Sequence, residues 1–173
     1  MSPPPAGRRP GPYGSAVRRM ADVQLRGPGR PIAARAYWPA TRDPVTAPAL
    51  LVLLPGGDSD DVDAVCRGAS ADIGVVVLSP TSRGAGDTYG AALADAMATV
   101  HWAADHAADL GADPGRLLLA GTGAGGRLAA AVARQAREDG WPAVTHHVSI
   151  GEGTAERMRQ ALARSLRPAL EAE

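Results

Sequence analysis

Three glycines carry the most specific chemical signal in this chain. Gly121, Gly123 and Gly126 lie in LLLAGTGAGGRLAAAVA, residues 117–133, where an apolar run enters a glycine turn and an alanine-rich helix leaves it. Their G-x-G-x-x-G spacing is that of a dinucleotide-binding loop, whose backbone amides cradle a pyrophosphate at a helix start. The same strand–turn–helix also suits a nucleophile elbow, G-x-S-x-G, which lifts a serine hydroxyl out of a sharp turn for acyl transfer. In that second frame Gly123 stands where the serine would. A second glycine pair, Gly56 and Gly57, closes the apolar run LLVLL. Its amides, with that of Ala124, could converge on a developing oxyanion.

Other chemistry-bearing residues are sparse. Ser59 follows the second glycine turn, and His146 and His147 are adjacent, so a Ser–His pair is conceivable. Neighbouring strand residues face opposite ways, so at most one of these histidines can serve a given site. His101 and His106 are five apart on a helical stretch, poor spacing for a shared ligand. The run DSDDVD (Asp58–Asp63) hints at a cation loop but lacks the glycine and distal glutamate of a calcium loop. Cys66 is the only cysteine, which excludes an intrachain disulfide and a multi-cysteine metal site. No metal and no cofactor is expected.

The elements that must position these residues alternate in type. Asp22–Leu25 and Ile32–Tyr37 read as two short strands joined by a Gly-Pro-Gly turn. Leu50–Leu54, Gly74–Ser79, Arg116–Ala120 and Ala143–Ile150 read as buried strands. Between them, helical spacing predicts a short helix over Val62–Ala69, a long one over Thr88–Leu110 capped by Asp87 and stopped by Gly111, and a third over Gly125–Asp139. A last helix starts near Thr154 with Met158, Leu162 and Leu166 on one face, and Pro168 should bend or end it. Alternation of this kind predicts the α/β class: a mostly parallel sheet with helices on both faces and ligands beyond the carboxyl ends of the strands.

Composition narrows the function classes. Eighteen basic and eighteen acidic residues balance, so nothing argues for nucleic acid or an anionic membrane as partner. No apolar run approaches the roughly 20 residues of a membrane span. Residues 1–19 are rich in Pro, Gly and Arg without an apolar core, which predicts a disordered tail, a domain over residues 20–173 and a cytoplasmic location. Phe is absent, so few large aromatics are available to line a bulky pocket.

The dinucleotide frame fits its surroundings poorly. Such a loop opens its domain, whereas this one follows two buried strands. An acid should follow by about twenty residues at the end of the next strand. Asp139 precedes that strand and Glu152 comes too late after it.

The elbow frame fits better. The stretch Ala91–Gly140, with its Trp-containing helix, GADPGR loop, strand and GTGAGG turn, resembles the hormone-sensitive-lipase-like bacterial esterases of the α/β-hydrolase fold. GPGRPIAARAYWPA is similar to that family's opening hairpin, and LLVLLPGGD to the strand entering its His-Gly-Gly-Gly oxyanion loop. The resemblance implies an esterase frame stripped of its triad. Gly123 replaces the serine, Thr122 the Asp before it and Pro55 the oxyanion-loop His. The chain stops where the family continues to its catalytic Asp and His. If HHVSIGEG is instead aligned with the family's last strand, Thr154 takes the place of the His. Two functions are therefore expected. One is a non-catalytic binding or interaction protein with a vestigial oxyanion hole at Gly56, Gly57, Gly123 and Ala124. The other is a hydrolase acting on a small carboxylic ester or acyl substrate through a rebuilt site. The implied partners are a second copy or a full-length hydrolase-like protein, with a small acyl or anionic ligand. The final helix either covers the last strand's edge or leaves it to pair.

Overall fold

The computed structural model describes residues 17–40, 45–56, 59–81 and 88–172. In chain order the elements are β1 Val17–Arg26, β2 Pro31–Pro39, β3 Leu50–Leu54, α1 Ser59–Ile73, β4 Val76–Pro80, α2 Tyr89–His106, β5 Leu117–Thr122, α3 Ala124–Asp139, β6 Val144–Ile150 and α4 Ala155–Glu171. The strands form one sheet in the order β1-β2-β4-β3-β5-β6. The β1–β2 and β2–β4 pairs are antiparallel, and the pairs from β4 through β3 and β5 to β6 are parallel. This is the α/β architecture expected from the sequence.

Continuous apolar runs become central strands because both faces of such a strand are covered. Side chains alternate across the sheet, so Leu50, Val52, Leu54, Leu117 and Leu119 join Val100, Ala103, Ala129 and Val132 of α2 and α3 on one face. Leu51, Leu53, Leu118 and Ala120 join Val65, Cys66, Ala69, Leu162 and Leu166 of α1 and α4 on the other. Leu162 and Leu166 are fully buried. Each contributes about 1.5–3 kcal/mol through the apolar area removed from water.

Several boundaries differ from the sequence reading. β1 begins at Val17, within the segment assigned to the tail, because its residues pair with β2 along the whole hairpin. α1 runs from Ser59 to Ile73 rather than over Val62–Ala69. The cap of α2 is Thr88, whose hydroxyl accepts from Ala91 N–H, rather than Asp87, which lies outside the described residues. That helix ends at His106, and Gly111, at φ +70°, closes the following turn. Pro168 does not end α4, which continues to Glu171. A proline in the last turn removes one i→i−4 bond, and few residues remain beyond it to be displaced. α4 packs on a face of the sheet against α1 and Ile150, and among the described residues no strand lies on the outer side of β6. No helix among the described residues is long and apolar enough to cross a membrane.

Cys66 is completely buried between α1 and the sheet, and burial pushes its thiol up to about 12. The thiolate is the reactive form, so native protein should be inert to a disulfide-exchange reagent and should titrate one thiol in guanidinium chloride. Rapid labelling of the native protein would show that α1 opens readily.

Candidate functional site

The elbow is built by backbone. β5 ends at Thr122, Gly123 turns at φ +52° and ψ −123°, and α3 starts at Ala124. Side-chain-bearing residues rarely enter that region, and holding one there costs about 1–3 kcal/mol. Glycine enters it without the Cβ penalty. The turn is fixed by Gly123 N–H donating to Ile150 O at 2.9 Å and Gly126 N–H donating to Gly123 O at 3.0 Å.

The neighbouring glycines decide which motif this is. A Cβ at Gly121 would overlap the backbone of Gly125 and Gly126, and one at Gly125 would overlap the carbonyl of Leu54. Glycine is therefore demanded two positions before and two after Gly123, which is the elbow frame. Gly126, the third glycine of the dinucleotide frame, would bring a Cβ only to 3.1 Å from Ser149 Cβ. Ser149 Oγ donates to Gly126 O at 2.8 Å, so the crossing is tied to β6 as well.

Gly56 packs directly on the elbow, where a Cβ would strike Thr122 O and the amides of Ala124 and Gly125. Its own N–H is directed to Thr122 Oγ1 at 3.4 Å. Gly56 thus serves as a close-packing spacer between the end of β3 and the elbow. Gly57, the other expected donor, lies outside the described residues. Ala124 N–H begins α3, where first-turn amides have no partner inside the helix. Beside it runs a cleft of about 280 Å³, bounded by Leu54, Gly56, Thr81, Tyr89, Ala124 and Arg127.

The alpha/beta hydrolase fold model matches residues 54–169, from the end of β3 through most of α4. The chain belongs to the alpha/beta hydrolase fold family. It is 39% identical over 132 residues to the esterase LipI of Mycobacterium tuberculosis, a match covering 73% of this chain and 41% of that protein. It is 40% identical over 126 residues to the carboxylic ester hydrolase LipN of the same organism, covering 69% of this chain and 33% of LipN. Among solved structures, an esterase of the archaeon Pyrobaculum calidifontis superposes with a TM-score of 0.68 at 36% identity, over 76% of this chain and 44% of that one. This hydrolase-family chain therefore spans less than half the length of the relatives it matches.

What stands over the hydrolase elbow is a carboxylate. Glu152, in the loop between β6 and α4, places Cγ 3.0 Å and Oε1 3.3 Å from the point a Cβ on residue 123 would occupy. The sequence reading weighed Glu152 only as a ribose ligand. Its position two residues beyond the carboxyl end of the strand beside β5 was the signal that it borders the site.

The two candidate histidines do not reach the elbow. His146 and His147 sit opposite Leu118 and Leu119, while Thr122 sits opposite Ile150. At about 3.3 Å per residue, either histidine lies roughly 10 Å or more down the sheet. His147 borders a separate hollow with Arg137, Gly140 and Pro142. Ser59 is the first residue of α1, and its side chain lies outside the described set. Among the described residues no three His, Cys, Asp or Glu side chains group as a metal site.

A larger cleft of about 500 Å³ lies toward the hairpin, bounded by Asp22, Arg35, Tyr37, Asp63 and Ser79. Its polar groups hold one another. Tyr37 OH donates to Asp63 Oδ1 at 2.8 Å, Arg67 Nε to Asp63 Oδ2 at 2.6 Å, and Arg35 Nε to Asp22 at 2.7 Å. Burial alone would raise the Asp63 carboxyl. The hydrogen bonds from Arg67 and Tyr37, with the charges of Arg67 and Arg35, outweigh it and hold the group below its ordinary range. Asp63, the last residue of the acidic run, is committed to joining α1 to β2.

Proposed function

We propose that this chain is an esterase-like hydrolase that holds a small carboxylic ester at the carboxyl edge of its sheet and cleaves it by direct attack of water, without an acyl-enzyme. The observation that carries the reading is the elbow. The backbone that presents a nucleophile to a cleft is kept in detail, yet Gly123 presents no side chain. The relatives named as esterases and a carboxylic ester hydrolase supply the substrate class, and the modest cleft with few aromatics favours short acyl groups.

A second reading, a site that binds a small ester or carboxylate without turnover, is favoured by the distance of His146 and His147 from the elbow. No Ser–His pair is assembled among the described residues, and without an activated nucleophile covalent catalysis has no starting point.

Steady hydrolysis of short-chain nitrophenyl esters separates the two. The expected result is slow linear turnover above buffer, with no burst and no loss of rate after a serine-directed phosphonate. A burst, or inactivation by the phosphonate, would reveal a hydroxyl nucleophile and overturn the direct-water route. Ester or carboxylate binding without turnover would leave the second reading.

A further inference from the structure

We infer that Glu152 is the general base of this site, taking the proton from the water that attacks the ester; the inference rests on the hydrolytic reading above. Three observations lead to it. The carboxylate stands at the tip of the elbow, with Oε1 3.3 Å from the point where residue 123 would carry a Cβ. A serine hydroxyl lies one bond beyond that Cβ, so the carboxylate fills the region where the nucleophile of an elbow belongs. Next, Glu152 makes no hydrogen bond or ion pair among the described residues, whereas nearby Glu156 is taken up by Arg159 and Gln160. The carboxylate is exposed, so a water molecule can reach it. Finally, α3 begins at Ala124, directly after the turn, and a helix N-terminus favours negative charge on both the carboxylate and a developing oxyanion.

The step balances without any further reactant. A water molecule hydrogen-bonded to Glu152 gives one proton to the carboxylate as its oxygen bonds to the acyl carbon. The carbonyl pair moves onto the carbonyl oxygen beside Ala124 N–H. When the tetrahedral adduct collapses, the bond to the alcohol oxygen breaks, and that oxygen takes the proton back from Glu152. Acid and alcohol leave, and the carboxylate is restored. General-base assistance of this kind contributes about 10²–10⁴-fold.

The 173-residue chain is assayed with nitrophenyl acetate beside Glu152→Gln, Glu152→Asp and Glu152→Ala. The expected result is a fall in kcat of about 10²–10⁴-fold for Glu152→Gln at similar KM, a smaller fall for Glu152→Asp, and partial recovery of Glu152→Ala by added formate. Unfolding midpoints should stay close to wild type, since the side chain is exposed and has no partner among the described residues. Formate rescue is a readout that a purely structural role at the α3 N-terminus would not produce. Glu152→Gln turning over as fast as wild type would overturn the base assignment and leave the hydrolytic reading standing. Absence of wild-type turnover would overturn both.

Discussion

Gly125→Ala should destabilise the fold by about 3 kcal/mol, the upper end of the usual range for overpacking a filled site. Helix propensity alone predicts the opposite sign, because alanine in place of glycine in a helix gains about 0.8–1 kcal/mol. The clash wins because the new Cβ would overlap the carbonyl of Leu54 and carbon of Pro55, which are backbone atoms of the neighbouring strand and cannot rotate aside. Relief requires β3 to slide against β5, breaking the register that pairs Leu54 with Gly121. Gly90→Ala is the matched control. Gly90 is also the second residue of its helix, and a Cβ there would meet nothing closer than Thr88 Oγ1 at 4.0 Å. For a chain of this size, Gly125→Ala should lower the melting temperature by roughly 6–12 °C, while Gly90→Ala should hold or raise it. Equal melting temperatures for the two variants would show that the strand and helix cross less tightly than described.

Asp63→Ala should cost about 1–3 kcal/mol, because it leaves the buried Tyr37 hydroxyl without its acceptor. Arg67 loses the same partner but keeps some access to water, so the larger share falls on Tyr37. The effect depends on pH in a definite direction. The folded carboxyl titrates below its unfolded value, so the stability it supplies is complete above about pH 4 and is lost as pH falls through the folded value. Wild type should therefore weaken in acid over that window, and Asp63→Ala should show less of that weakening. Urea unfolding of both proteins at neutral and acid pH measures the difference. Parallel losses in the two proteins would remove Asp63 as the cause.

The fold was legible because its signals are local and repeated. LLVLL and LLLA are short, apolar throughout and end in glycine turns, as a doubly covered strand does, and both lie at the sheet centre. Boundaries were less legible where pairing rather than composition sets them. Val17–Arg19 lie at the end of a Pro- and Arg-rich stretch yet join β1 because β2 offers a ladder. In the site, the glycine spacing identified the elbow because sterics demand glycine at fixed offsets. The use of Gly56 as a spacer was hidden, since a glycine written in sequence does not say what packs against it. Glu152 was hidden for a different reason. Its approach to Gly123 is a matter of adjacent strand ends, 29 residues apart along the chain, and no short pattern encodes that.

The backbone angles at Gly123 also set what any side chain at that position costs the fold. The turn is imposed by the crossing of Gly121, Gly125 and Leu54, so it persists whatever residue sits at its tip. A side chain there is strained by about 1–3 kcal/mol, and glycine's greater freedom in the unfolded chain returns only about 0.5–1 kcal/mol of that difference. By that balance a serine at the tip would make the molecule less stable than the glycine that stands there, by up to about 2 kcal/mol.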